Sequence, residues 1–183
     1  MNVDKLLMDI IESKYEELGL NQQQEGQFYK IKYFEGNAIG QIGEKFVKQL
    51  FTNNSLPLDD NREVVHDEYD CLSCGKKIEI KTARKGLKNN TFQFNGINPS
   101  YNHDYIILIG LTSNKAYYLI LDGHATYKHR ERKYYLNVNG SLKQLVSMNP
   151  GNSVNYKLTL TLDQLKPIST LVSELKSLFG KNN

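Results

Sequence analysis

The side chains with the clearest chemical potential are Asp70, Glu79 and Lys81. They lie in residues 69–81, which predict two short strands joined at residues 74–75, where a glycine can supply the positive φ of a two-residue hairpin loop. In that register Asp70 lies opposite Glu79, with Cβ atoms roughly 5 Å apart on one face of the sheet. Strand alternation places Lys81 on the same face. The reverse face is expected to be apolar and to contain Tyr69, Cys71, Ile78 and Ile80.

Two opposed carboxylates repel each other, so their pairing needs a cation. Mg²⁺ is a hard ion that binds one or two carboxylates together with waters and substrate phosphate. It lowers the pKa of a bound water, and Lys81 can orient that water or stabilise a pentavalent phosphorus. Acyl transfer would instead need an activated Ser or Cys beside a His. We therefore predict a Mg²⁺ site at Asp70 and Glu79 that is suited to phosphodiester hydrolysis.

The spacing of these residues resembles a known signature. Asp70, eight intervening residues and then Glu79-Ile80-Lys81 are similar to the D…(D/E)-x-K motif of the PD-(D/E)xK nuclease superfamily, which includes most type II restriction endonucleases. The resemblance implies that Asp70 and Glu79 are metal ligands and that Lys81 is the catalytic lysine. Tyr69 stands where the name-giving Pro would be. An ordinary charged hairpin is the alternative for the motif taken alone.

Upstream, residues 37–51 have helical spacing with Asn37 as the predicted N-cap. Their glycines, Gly40 and Gly43, predict close approach of another backbone. Superfamily members commonly carry a Glu on a helix before the core sheet, so the resemblance implies a supporting catalytic role for Glu44. The alternative is an exposed carboxylate at the edge of the apolar face. That face is predicted to contain Ile39, Ile42, Phe46, Val47 and Leu50.

Downstream, residues 105–111 and 116–121 are continuous apolar runs, which predict strands that are covered on both faces. The order of helix, hairpin and two buried strands matches the superfamily core over roughly residues 37–121. The resemblance therefore implies an α/β fold with a restriction-endonuclease-like core, a central mixed β-sheet flanked by α-helices.

The segment that follows Lys81 is basic at its start and then rich in Asn and Gln. Lys and Arg neutralise phosphates, whereas Asn and Gln can contact adenine in the major groove. Residues 92–99 resemble the region after the catalytic lysine in restriction endonucleases, which often packs a helix near the cleaved strand. A solvated polar loop is the alternative for each residue. The predicted DNA contacts here are Arg84, Lys85, Lys88, Asn89, Asn90, Gln93 and Asn95.

A second basic cluster lies in residues 122–151, where restriction enzymes often carry specificity elements. A solvated surface turn is again the alternative. The predicted DNA contacts in this cluster are Lys128, Arg130, Arg132 and Lys133.

The length of 183 residues predicts one nuclease domain. Within it we expect an N-terminal helix and arm (1–36), a catalytic core (37–121) and specificity or dimerisation elements with a C-terminal helix (122–183). Both terminal helices are expected to pack on the core. The net charge of +3 is modest, but six Lys or Arg against one acid between Lys76 and Lys88 give a local basic patch.

No apolar segment is long enough to cross a bilayer, and the N-terminal residues lack the order of a secretory signal, so we expect a cytoplasmic protein without a membrane partner. Cys71 and Cys74 are expected to be reduced thiols. Zinc binding or redox chemistry at this pair is the alternative, although a structural zinc site normally needs four ligands.

These observations predict a Mg²⁺-dependent type II restriction endonuclease that cleaves double-stranded DNA at a short specific sequence. A homodimer is expected, because symmetric cutting of both strands calls for two active sites related by a twofold axis. One alternative is a structure-specific repair or recombination nuclease with the same fold. Another is a non-catalytic DNA-binding module.

Overall fold

The computed structural model of the protein describes residues 3–17, 26–59, 68–87, 89–149, 151 and 153–180. Lys88, a predicted DNA contact, lies outside the described residues. The helices are α1 (Val3–Glu17), α2 (Gly36–Asn53) and α3 (Leu171–Phe179), with 3₁₀ turns at Tyr29–Tyr33, Leu162–Gln164 and Ile168–Thr170. The strands are β1 (Cys71–Ser73), β2 (Lys76–Arg84), β3 (Thr91–Ile97), β4 (Tyr105–Leu111), β5 (Ala116–Asp122), β6 (Thr126–Lys128), β7 (Lys133–Val138), β8 (Ser141–Gln144), β9 (Val146–Ser147), β10 (Tyr156–Thr161) and β11 (Lys166–Pro167).

The central sheet has five strands in the order β1-β2-β4-β5-β11. β2 and β4 run parallel, whereas the other neighbours are antiparallel, so the sheet is mixed. The predicted apolar strands are confirmed as β4 and β5, and six of the seven residues of β4 are buried. The fold is therefore α/β with a central mixed sheet, as predicted.

The central sheet separates two apolar cores. On one face, α2 and α3 cover a helix-side core, whose members include Val47, Phe51, Ile78, Ile80, Ile107, Ile109, Leu171, Leu175 and Phe179. On the other face, two three-stranded sheets, β3-β10-β9 and β6-β7-β8, cover a strand-side core that includes Phe92, Phe94, Ile106, Leu108, Leu136, Val138, Leu158 and Leu160. In the described residues the flanking helices α2 and α3 thus lie on one face of the central sheet, and strands cover the other face. The apolar residues of β3 and β10 alternate and favour strands there.

The hairpin formed by β1 and β2 has the predicted register. Cys71 pairs with Ile78, and Ser73 pairs with Lys76. Cys74 and Gly75 both adopt positive φ, at 50° and 73°, the pattern of a two-residue turn that matches the twist of the flanking strands. The local sequence is therefore sufficient to predict which side chains face each other across this hairpin.

Helix α2 forms where predicted but is rotated relative to the prediction. It begins at Gly36 with Glu35 as N-cap, so the assignment of Asn37 is wrong. Its buried residues are Ile39, Gly43, Val47 and Phe51. Ile42, expected on the buried face, is 37% exposed.

The rotation of α2 follows from a close contact at Gly43. A Cβ atom at Gly43 would lie 1.7 Å from Thr82 Oγ1, so only glycine allows the helix to approach β2 this closely. The predicted close approach is confirmed at Gly43. It is wrong for Gly40, where an added Cβ would meet nothing within 4 Å.

Two further predictions are wrong. Residues 91–97 form strand β3 rather than a helix, because the buried Phe92 and Phe94 alternate with the exposed Gln93 and Asn95. Helix α1 forms as predicted, but its Ile10 side chain is 57% exposed and does not pack on the core. In contrast, α3 packs into the helix-side core and ends at Gly180, as expected.

In the described part of the chain, no helix combines the length and apolar character needed to span a membrane.

Candidate active site

Asp70 is held at the start of the β1–β2 hairpin by two hydrogen bonds to β2. Its backbone N–H donates to the Ile78 carbonyl (3.0 Å), and its Oδ2 accepts from the Ile80 N–H (2.6 Å). The carboxylate thus takes the place of a backbone acceptor beside β2. The paired register itself ends at Cys71 and Ile78, and these bonds to Ile78 and Ile80 hold Asp70 beside the part of β2 that contains Glu79.

Glu79 lies in the centre of the site and is 8% exposed. Its Oε1 contacts Lys81 Nζ, and its Oε2 lies 3.5 Å from His103 Nε2. Burial raises the pKa of Glu79 from 4.5 to about 7, and the negative charge of Asp70 adds to this shift. The ammonium of Lys81 acts in the opposite direction. The geometry therefore concentrates negative charge in a desolvated position, as in many functional sites.

Glu44 reaches the same charge cluster from helix α2. Burial and the charge of Asp70 raise its pKa, whereas Lys48 and Lys81 lower it. Glu44 follows Gly43, the residue whose contact with Thr82 brings α2 against β2. The structure thus brings together all four predicted catalytic residues, from one helix and one hairpin.

A cleft of about 1420 Å³ opens beside this cluster, and Glu44 and Lys81 lie on its wall. Asp70 and Glu79 are not among the residues of the wall. Four of the predicted DNA contacts also line the cleft: Arg84, Lys85, Gln93 and Asn95. Further cationic groups come from Lys32 and Lys115. The charge and amide content of the wall suits a polyanionic ligand.

Strand β3 carries the amide groups of the cleft, with Asn95 in a bulge and Gln93 just before it. Between Phe94 and Ile97, β3 has one residue more than its partner β10, and Gly96 in the bulge has a φ of 76°. The position that a Cβ of Gly96 would occupy lies 3.9 Å from Lys81 Nζ, so the bulge lies directly beside the lysine. Gln93 Nε2 donates to Asn95 Oδ1 (3.0 Å), which orients both amides at this edge.

Arg84 and the asparagines before β3 differ in placement. Arg84 donates from Nη1 to the carbonyls of Ile31 (3.2 Å) and Lys32 (3.0 Å), so part of this guanidinium holds the 3₁₀ turn at Tyr29–Tyr33. Asn89 and Asn90 are exposed in the turn before β3 and do not line the cleft.

The second basic cluster lies on the β6–β7 hairpin, away from the cleft wall. Lys128 lies 3.6 Å from Glu131 and 4.5 Å above the Tyr135 ring. Arg130, Arg132 and Lys133 are exposed.

The donor set is consistent with Mg²⁺ but not with a metal held by protein alone. Within the described residues, no three His, Cys, Asp or Glu side chains converge tightly enough to form such a cage. Mg²⁺ commonly uses one or two carboxylates and takes its other ligands from water and phosphate. The carboxylates of Asp70 and Glu79 would supply the protein ligands, and the raised pKa of Glu79 indicates a position where a cation would be favourable.

The two cysteines are not joined to each other by a disulfide. Cys71 is buried in the helix-side core, whereas Cys74 is exposed in the hairpin turn. Cys74 Sγ lies 3.8 Å from the Phe179 carbonyl oxygen, so this thiol faces the end of α3.

His103 is a site residue that the sequence analysis did not identify. It precedes β4, whose parallel pairing with β2 sets Ile106 beside Glu79. The ring is 1% exposed and contacts the Glu79 carboxylate. The sequence marks His103 only as a polar residue just before a buried strand, and its approach to Glu79 depends on the pairing of that strand with β2.

No protein-family model, curated protein or solved structure matches this chain.

Proposed function

We propose that the protein is a Mg²⁺-dependent endonuclease that hydrolyses double-stranded DNA at a short specific sequence, in the manner of type II restriction endonucleases of the PD-(D/E)xK superfamily. The observation that carries the proposal is the convergence of Asp70, Glu79 and Lys81 beside a cleft with a basic, amide-rich wall. The mixed central sheet, with Asp70 just before β1 and Glu79 within β2, is compatible with the restriction-endonuclease-like core that this proposal requires.

In this mechanism Asp70 and Glu79 bind the metal. Once bound there, Mg²⁺ would lower the pKa of a coordinated water and neutralise charge on the scissile phosphate. Lys81, which contacts Glu79 Oε1 and reaches the cleft wall, orients the attacking water and stabilises the negative charge that develops on phosphorus. Glu44 has a raised pKa and lies on the cleft wall, where it can accept a proton or hold the water network.

The cleft wall provides the DNA contacts closest to the chemistry. Lys85 and Lys115 can neutralise phosphates, while the linked amides of Gln93 and Asn95 can address base edges. The exposed cations of the β6–β7 hairpin would bind phosphates farther along the duplex. Cleavage of both strands is proposed to occur in a homodimer, because a twofold axis would place one site on each strand. The proposed compartment is the cytoplasm.

The decisive experiment is incubation of a large viral DNA with the protein and Mg²⁺, followed by sequencing of the fragment ends. Discrete fragments with one shared end sequence are expected. A smear, or cleavage restricted to branched DNA, would favour a structure-specific nuclease. Binding without cleavage in either Mg²⁺ or Mn²⁺ would favour a non-catalytic DNA-binding module.

Variants assign the activity to the site. Asp70→Ala, Glu79→Ala and Lys81→Ala should each lower the cleavage rate by at least about 100-fold while retaining most DNA affinity. Asp122→Ala removes an exposed acid outside the cleft wall and serves as the matched control. Full cleavage by any of the first three variants would reject the role of that residue.

A further inference from the structure

A buried imidazole lies between the segment that leads into Asp70 and the side chain of Glu79. His103 Nε2 is 2.5 Å from the Glu68 carbonyl oxygen and 3.5 Å from Glu79 Oε2. Glu68 is two residues before Asp70, so the carbonyl belongs to the segment that delivers Asp70. Nε2 of His103 therefore faces both the backbone that leads into Asp70 and the carboxylate of Glu79.

Both partners of Nε2 are acceptors, which assigns a proton to this nitrogen. Burial also lowers the pKa of His103. The edge of the Tyr101 ring, with its centroid 5.9 Å away, packs against the imidazole. These contacts leave the ring one favourable orientation, with its N–H toward Glu68 and Glu79.

The backbone that carries the ring is also fixed. A Cβ on Gly123 would lie 2.5 Å from the His103 carbonyl oxygen, so the end of β5 packs directly on this residue. The neighbouring Asp104 donates its N–H to the Lys77 carbonyl and accepts the Lys77 N–H on Oδ2, both at 2.9 Å. His103 is therefore anchored to β2 and β5, two strands of the central sheet.

We propose that His103 is a positioning residue that sets the separation of the two metal-binding carboxylates. Its Nε2–H bonds the Glu68 carbonyl and faces Glu79, and this contact holds the segment before Asp70 against the β2 carboxylate. The inference rests on the proposed function, because it assumes that Asp70 and Glu79 bind Mg²⁺. Groups that orient metal ligands are typically worth 10–100-fold in metal affinity.

The test measures Mn²⁺ binding to the protein alone by electron paramagnetic resonance, with Mn²⁺ as the probe for Mg²⁺. His103→Leu, which removes the N–H, should weaken Mn²⁺ binding by about 10–100-fold. His103→Gln places an amide N–H near the position of Nε2 and should recover part of this loss. His124→Gln is the matched control, because His124 also contacts a carboxylate but is exposed outside the site.

A second readout separates positioning from general damage. The Mg²⁺ concentration for half-maximal cleavage should rise for His103→Leu by a larger factor than the rate at saturating Mg²⁺ falls. Thermal unfolding checks that the variants fold. If His103→Leu does not fold, His103→Asn is used instead. Its amide ends near the position of Nδ1 and does not reach that of Nε2, so the same loss of Mn²⁺ binding is expected.

The outcomes distinguish the two proposals. The role of His103 would be overturned if the Leu or Asn variant binds Mn²⁺ within twofold of wild type while the Asp70→Asn variant does not bind it. That result would leave the proposed function standing. If the Asp70→Asn variant binds Mn²⁺ as tightly as wild type, the acid pair is not the metal site, and the role of His103 is overturned with it.

Discussion

The β1–β2 and β6–β7 hairpins contain similar charged residues but hold them in opposite environments. Glu79 in the first hairpin is buried, and desolvation together with Asp70 raises its pKa to about 7. Glu131, in the turn of the second, is exposed, and a hydrogen bond from the Tyr135 hydroxyl lowers its pKa. The sign of the shift thus depends on where each hairpin lies in the fold.

The positions of the two hairpins explain this difference. β2 lies inside the five-stranded sheet, between β1 and β4, and its side chains are covered by neighbouring layers. β6 and β7 belong to a separate three-stranded sheet whose turn is exposed. A cluster of charges becomes a candidate catalytic site when burial forces like charges together, and it remains a surface patch when solvent screens them.

The largest expected effect is a change in the free energy of unfolding when the charge of Glu79 is removed. A folded-state pKa above the unfolded value means that the folded protein holds the proton longer, so stability falls as the pH rises from about 4.5 to about 7. Glu79→Gln should therefore raise the free energy of unfolding at pH 8, without divalent metal, by about 3 kcal/mol and much less at pH 5. Urea unfolding at both pH values measures this.

Glu131→Gln is the control in the other hairpin, and its effect should have the opposite sign. The lowered pKa of Glu131 stabilises the folded state above the unfolded pKa, so the substitution should lower stability at pH 8. An equal gain for Glu79→Gln at pH 5 and pH 8 would contradict the assignment of the effect to a buried charge.

The next effect concerns Mg²⁺ added to the wild-type protein at pH 8. A cation between Asp70 and Glu79 relieves their repulsion, so saturating Mg²⁺ at about 100 times its Kd should stabilise the protein by about 2.7 kcal/mol. Protons compete for the same carboxylates, so stabilisation should be smaller at pH 5. Thermal unfolding with and without Mg²⁺ measures both values, and an undiminished Mg²⁺ effect in Glu79→Gln would place the ion elsewhere.

Helix α2 offers a matched pair of glycines for a smaller effect. An Ala at Gly43 would collide with Thr82, so Gly43→Ala should cost about 1–3 kcal/mol of stability and displace Glu44 from the acid pair. Gly40→Ala meets no neighbouring atom and should stabilise the helix by up to about 1 kcal/mol. Urea unfolding compares them, and equal effects would refute the close approach of α2 to β2.

The smallest expected effects are on DNA binding, when one cation is removed from the cleft wall or from the exposed β6–β7 hairpin. Lys85→Ala and Arg132→Ala should each weaken DNA binding and reduce the slope of log affinity against log salt by about 1, because each removes one phosphate contact. Only Lys85→Ala should also reduce the cleavage rate of bound DNA, since Arg132 lies outside the cleft wall. An unchanged salt slope for Arg132→Ala would remove the β6–β7 hairpin from the proposed DNA interface.

Several features could be predicted from the sequence because they depend on neighbours along the chain. A glycine-containing turn sets the register of β1 and β2, which brings Asp70 to the side of β2, and alternation places Lys81 on the same face as Glu79. Continuous apolar runs identified β4 and β5, since only doubly covered strands tolerate such composition.

Other features depended on contacts between residues that are distant along the chain. The rotation of α2 follows from Gly43 against Thr82, and β3 forms a strand because Phe92 and Phe94 cover the strand-side core. His103 reaches Glu79 only because β4 pairs in parallel with β2. The local sequence thus determined which charged groups meet. The tertiary structure alone decided how deeply they are buried, and burial is the main cause of the raised pKa of Glu79.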